Sequence, residues 1–268
     1  MAPLLTDSIC HLDFPEFDSD RSDVLASCAS AGVMQIVVPA VAQSSWHRTI
    51  QICQINSAPV TLLLALGLHP MMIDSHQPDH LIELDELIES AKPIAVGEIG
   101  LDFHKSLNHS AASHEKQGIF FEKQLLIAKK HSKPVILHIR KAHDEAIDIL
   151  RESKITGGIV HAFNGSIQQA QHYIELGFCL SFGGMLTYVR STKLQRLISQ
   201  IPIENIVLET DAPDMTVFSH QGQRNSPAYL PYVLDAVAKH KSLDPDRVAE
   251  QTTANISRVL GLPLVAPS

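Results

Sequence analysis

No apolar run in this 268-residue chain approaches the roughly 18 residues that cross a bilayer, which argues against a membrane span. The opening MAPLLTDSI also lacks the basic start and apolar core of a signal peptide. The four cysteines, Cys10, Cys28, Cys53 and Cys179, form no CxxC pair. That pattern argues against a disulfide framework or a zinc finger and suits a reducing cytoplasm. There is no GxGxxG turn for a dinucleotide, no GxSxG elbow and no cysteine in a nucleophile setting, so covalent acyl chemistry lacks its parts. No linker, low-complexity tract or tandem repeat divides the chain, and residues 1–268 read as one domain. Positive charge is in deficit: 21 Lys and Arg against 29 Asp and Glu give a net charge of −8. A polyanion would therefore have to be gripped by a local basic patch or a bound cation.

What the chain does have is a hydrophobic content of 45%, ample for a buried core, arranged as short apolar runs alternating with amphipathic segments. The runs are the opening TDSICHLDF, then MQIVVPA, TLLLALGLHP, PIAVGEIGLD, PVILHIR, GGIVHAF, FCLSFGG and NIVLETDAP. Segments such as HLIELDELIESA and FFEKQLLIAKKH lie between them and read as helices, several closed by Gly or Pro. Apolar runs without period-2 alternation imply strands covered on both faces, hence a parallel sheet. Eight βα units in about 250 residues match an α/β fold of the (β/α)8 barrel type. A doubly wound open sheet is the alternative.

The polar residues at strand exits carry the chemistry. His11 ends the first strand, Glu98 the fourth, His138 the fifth, His161 the sixth and Asp211 the eighth. In a parallel barrel all strand C-termini meet on one rim, where such enzymes keep their active sites. One buried histidine there is commonly satisfied by a backbone carbonyl; five metal-ligand residue types, all at exits, point to a cation site. Most of the fifteen histidines, His47, His76, His80, His172 and His240 among them, lie in polar helical stretches and read as solvated. His69 in GLHP reads as a residue closing a turn before Pro70. Imidazole with carboxylate suits Zn²⁺, Mn²⁺, Fe²⁺ or Ni²⁺, and carboxylate with water also admits Mg²⁺. A single glutamate among histidines is well placed to bridge two ions about 3.5–4 Å apart, an arrangement that activates water and clamps a phosphodiester. Asp211 would be both ligand and acceptor of the water proton.

At these residues the chain resembles a known family. CHLDF, GLHP, AVGEIGLD, PVILHIR, VHAFNGS, GGMLTYVRS and LETDAP, in that order, resemble the successive motifs of the TatD-like DNases, metal-dependent hydrolases of the amidohydrolase superfamily. The likeness runs from Asp7 to about Leu262. It implies a distorted barrel, one or two divalent ions (Mg, Mn or Zn) per chain, and hydrolysis of DNA, single-stranded or at 3′ ends, by 3′ exonuclease action. By the same resemblance Glu98 bridges the metals, His138 and His161 hold the second ion, and His11 and Asp211 hold the first. Family members usually open with a His-x-His pair, and here Ile9 stands at its first position. On a strand Ile9 shares a face with Asp7, His11 and Asp13, so the missing imidazole belongs to the site and the first ion is expected to be held weakly.

Substrate contacts are expected on the same rim. Arg140 and Lys141 follow the fifth strand, Arg190 the seventh, and Arg224 lies in the loop after the eighth. Positive charges there, in a chain of net charge −8, are where phosphates should sit, and Arg190 lies in the family-like TYVRS. Asn164, Gly165 and Ser166 offer either anion-binding amides or a helix cap. Glu209, two residues before Asp211, is expected to orient the site or contact substrate. Three readings follow: a metal-dependent deoxyribonuclease, a same-scaffold hydrolase of an amide, lactone or aminoacyl-tRNA ester, or a nucleic-acid-binding protein weakened in catalysis by Ile9.

Overall fold

The computed structural model describes residues 4–55, 58–107 and 109–262. Each of the eight apolar runs supplies a strand: β1 (Leu5–Asp7), β2 (Val33–Pro39), β3 (Thr61–Leu66), β4 (Ala95–Asp102), β5 (Val135–Arg140), β6 (Gly158–Val160), β7 (Phe178–Phe182) and β8 (Ile206–Leu208). All pair in parallel in the order β1 to β8. The ring closes beyond the ends of its shortest strands. Ser8 N–H donates to Leu208 O (2.9 Å), Asp211 N–H to Ile9 O (2.9 Å) and His11 N–H to Ala212 O (2.8 Å). The molecule is a (β/α)8 barrel.

Helices follow the strands: α1 (Arg21–Ser30), α2 (Trp46–Cys53), α3 (Pro78–Ala91), α4 (Ala111–Lys130), α5 (His143–Ser153), α6 (Ile167–Glu175), α7 (Thr192–Gln200), α8 (Leu230–Lys241) and α9 (Pro245–Leu260). Their ends carry local signals. Ser166 begins α6 by accepting from Gln169 N–H, so capping is its role, and Ser110 does the same for α4 from Ser113 N–H. Gly261 closes α9 in the left-handed region.

Two apolar layers hold the barrel. One packs helices against the outer strand faces. The other fills the interior with one residue per strand from β2 to β8, Val37, Ala65, Ala95, Ile136, Ile159, Cys179 and Val207, joined by Ile9. Ile256, Val259 and Leu260 of α9 belong to this inner cluster. On β5 the pleat turns His138 the same way as Ile136, two residues before it. β1 stops at Asp7, short of the strand expected through Ile9 and His11, so His11, like His161 beyond β6, is placed by the loop that follows its strand. On β4 the register against β5 slips between Val96 and Ile99, a bulge that frees Glu98 from strict alternation. Gly100 pairs with His138 there, and a Cβ at Gly100 would lie 2.1 Å from the His138 carbonyl oxygen.

Candidate metal centre

Five side chains named from the sequence converge where the strands exit. Glu98 and His138 lie within β4 and β5, His161 just past β6, Asp211 three residues past β8 and His11 four past β1. Glu98 is the hub. It is fully buried, and neither carboxylate oxygen has a hydrogen-bond partner. Oε2 lies 3.7 Å from His11 Nε2; Oε1 lies 3.3 Å from His138 Nδ1, 3.5 Å from His69 Nε2 and 3.9 Å from His161 Nε2. Asp211 Oδ1 closes the other side, 3.6 Å from both His11 Nε2 and His161 Nε2.

A buried, unpartnered carboxylate ringed by imidazoles is costly unless a cation compensates it. Ligand atoms roughly 2.1 Å from one ion stand roughly 3–3.5 Å apart at tetrahedral or octahedral angles, close to the spacings here. The donor set therefore fits divalent cations, with the two oxygens of Glu98 turned toward different partners. His69, Glu98 and His138 alone bring one donor atom each to within 4.8 Å of one another.

Outer partners orient the rings. His161 Nδ1 bonds Glu209 Oε2 at 2.8 Å, and Glu209 Oε1 accepts from Ala162 N–H at 3.0 Å. His138 Nε2 bonds Asp102 Oδ2 at 3.0 Å, while Asp102 Oδ1 accepts from His104 N–H at 2.9 Å. Each ring thereby turns its other nitrogen to the site, the carboxylate–histidine device of metal centres. Electrostatics follow. Burial raises the carboxyl pKa of Glu98, but the imidazoles of His161, His69 and His138 outweigh burial and hold it well below its usual range. Burial pushes Asp211 up to about 6, with His161 and His11 pulling the other way. Burial, aided by neighbouring His138, lowers His69 to about 4.

Beside the cluster lies a cavity of about 630 Å³, and Arg140, Arg190 and Lys193 line it together with His138, His161 and Asp211. Arg224 is placed elsewhere. Its guanidinium bonds both oxygens of Asp20 (3.0 and 2.6 Å) and the Glu16 carbonyl, and lies 4.5 Å from the centre of the Phe17 ring. It ties the loop after β8 to the loop after β1. Sequence reasoning missed His69, read as a turn residue, and Lys193, three residues after Arg190; it also missed the burial of His76, whose Nε2 bonds the His69 carbonyl at 2.9 Å. The position of GLHP at a strand exit, like the other ligand motifs, was the available signal for His69.

The family model described as TatD related DNase matches residues 6–261. The chain belongs to that family. A metal-dependent hydrolase of Escherichia coli, YjjV, is 37% identical over 260 residues, covering 96% of this chain and 98% of its own. Its crystal structure superposes with a TM-score of 0.89 over 97% of this chain and 98% of the other. The Bacillus subtilis metal-dependent hydrolase YabD is 30% identical over 258 residues, 96% of this chain and 98% of its own. A TatD-family hydrolase from Entamoeba histolytica, 20% identical with a TM-score of 0.84 and covering 97% and 98% of the two chains, shares the fold.

Proposed function

We propose that this TatD-family protein is a divalent-metal-dependent deoxyribonuclease that removes nucleotides from 3′ ends, with residues 1–268 acting as one catalytic domain. The observation that carries the reading is the unpartnered Glu98 carboxylate among imidazoles, beside a cavity that His138, His161 and Asp211 line together with three cationic side chains. His11, Glu98, His138, His161 and Asp211 would hold the cations, whose identity among Mg²⁺, Mn²⁺ and Zn²⁺ the donor set leaves open. Bound there, such ions acidify water and neutralise phosphoryl charge.

The chain's own residues supply the remainder. Arg190, Arg140 and Lys193 bind the phosphates that flank the scissile bond. Asp211 takes the proton of the attacking water as its oxygen bonds to phosphorus. The P–O bond to the departing sugar oxygen breaks, and Asp211 returns that proton to the leaving oxygen. Glu209 keeps His161 in the tautomer and orientation this requires. A reducing, cytoplasmic setting is part of the proposal and rests on the four free cysteines.

A 3′-labelled single strand incubated with Mg²⁺ or Mn²⁺, and then with chelator, tests the reading. Release of labelled mononucleotide should depend on the ion and stop with chelator. Glu98→Ala should abolish it, because both ions lose a shared ligand. Full chelator-sensitive activity in Glu98→Ala would sink the proposal.

A further inference from the structure

His69 is fixed more firmly than a turn residue requires. Its N–H donates to Val41 O (2.9 Å), and its carbonyl accepts from His76 Nε2 (2.9 Å). The Gln124 side-chain amide clamps both backbone groups of Leu68, at 2.7 and 3.2 Å, and Pro70 fixes the chain on the other side. The imidazole itself caps the following turn, with Nδ1 accepting the Met71 N–H at 3.1 Å.

That last contact determines the tautomer. A backbone N–H can only donate, so Nδ1 carries a lone pair and the ring is neutral with its proton on Nε2. Nε2 is the atom that faces the site, 3.5 Å from Glu98 Oε1. A cation is bound by a lone pair, and a protonated Nε2 has none to give. His138 and His161 are built the other way: each donates from its far nitrogen to a carboxylate, leaving the near nitrogen free for an ion. At 3.5 Å the contact with Glu98 is longer than a normal hydrogen bond of 2.7–3.2 Å. Among the described residues Nε2–H has no closer acceptor, so it is left over for a ligand.

We propose that His69 is a neutral N–H donor to a phosphoryl oxygen of the substrate and does not ligate a cation. The substrate half rests on the phosphodiesterase reading above; the ligand half does not. A donor held by six hydrogen bonds at and next to its backbone and ring, the Met72 N–H to the His69 carbonyl among them, needs no reorganisation when charge develops on that oxygen. Loss of one such donor costs roughly 10²–10³-fold in kcat.

Two variants separate the roles. His69→Asn keeps a capping acceptor for Met71 N–H but is too short to reach the site, whereas His69→Gln can still present an amide N–H. Metal content by elemental analysis, dTMP binding to the Mg²⁺-loaded protein, kcat on the labelled strand and long-range ¹H–¹⁵N spectra of the histidines are the readouts. Both variants should keep the wild-type metal content, whereas His138→Gln loses metal. His69→Asn should weaken dTMP binding by about 10-fold or more and lower kcat by about 100-fold, with His69→Gln between it and wild type. The His69 Nε2 proton should persist in the Mg²⁺-loaded wild type. A fall in metal content in His69→Asn, or loss of that proton on loading, would make His69 a ligand and overturn the proposal. Unchanged dTMP binding with full metal content would overturn it too, leaving a turn cap. If the wild type cleaves no DNA, the deoxyribonuclease reading fails by itself, and the metal, dTMP and spectral results still decide His69.

Discussion

Ile9 has no accessible surface and sits in the apolar interior layer, two residues below His11. Burying its side chain contributes about 1.5–3 kcal/mol, a gain in packing at the position where the family resemblance leads one to expect an imidazole. On the ligand assignment proposed above, the first ion would be left with His11, Glu98 and Asp211, while the second would keep Glu98, His138 and His161. Loss of one ligand should weaken the first position by at least the 10–100-fold typical of changes in outer-shell partners. Purified wild-type protein should therefore hold one ion well and require added divalent metal, at millimolar level, to fill the other. Ile9→His should raise metal stoichiometry and nuclease rate. In chelator the same variant should be less stable by about 1–3 kcal/mol, because the new imidazole is buried without a partner. Elemental analysis with denaturant melts checks both halves; two tightly held ions in the wild type would refute the expectation.

At the scale of elements, the weak seam of the barrel is where β1 and β8, each three residues long, must meet. Asp7 stitches it: Oδ1 accepts from Ile9 N–H (3.2 Å) and Thr210 N–H (2.9 Å), and Oδ2 bonds the Thr210 hydroxyl. Burial dominates over these donors and pushes the Asp7 carboxyl up to about 8. An acid whose folded pKa is raised binds its proton more tightly when folded, so its contribution is complete below pH 4 and is lost as pH rises toward 8. Asp7→Asn keeps an acceptor for the two amides and an N–H for Thr210, yet cannot titrate. Measured in chelator, the melting temperature of Asp7→Asn relative to wild type should climb between pH 5 and 8. A constant difference would show that Asp7 is ionised in the fold throughout.

The whole molecule carries a net charge of −8 and would repel a nucleic acid at long range. On the deoxyribonuclease reading proposed above, capture falls to the cavity face, where Arg140, Arg190 and Lys193 gather beside the Glu98 cluster. Arg190→Ala should weaken binding of a labelled strand and make its salt dependence shallower by roughly one unit of log–log slope or less. Metal content should not change, because an arginine does not ligate. Titrations across a salt series with elemental analysis test this, and a parallel loss of metal would assign Arg190 a structural role. Arg224 makes the contrast: already paired with Asp20, it has no charge to spare, and its removal should leave the slope unchanged.

The sequence by itself determined the parallel barrel, Glu98 and four of the residues around it, since doubly covered strands must be apolar throughout and a polar residue at their exit stands out. It also exposed Ile9, because that residue stands where the resembling family carries the first histidine of a His-x-His pair. Only the tertiary structure decided the rest. Whether a rim arginine meets a phosphate depends on which loop lies across from it, and Asp20, some 200 residues away in the chain, claims Arg224. His69 looked like punctuation before a proline because its two nitrogens have separate duties. The local one, capping Met71, is near in sequence; the other faces Glu98 on the neighbouring strand, and the pairing of β3 with β4 brings the two together.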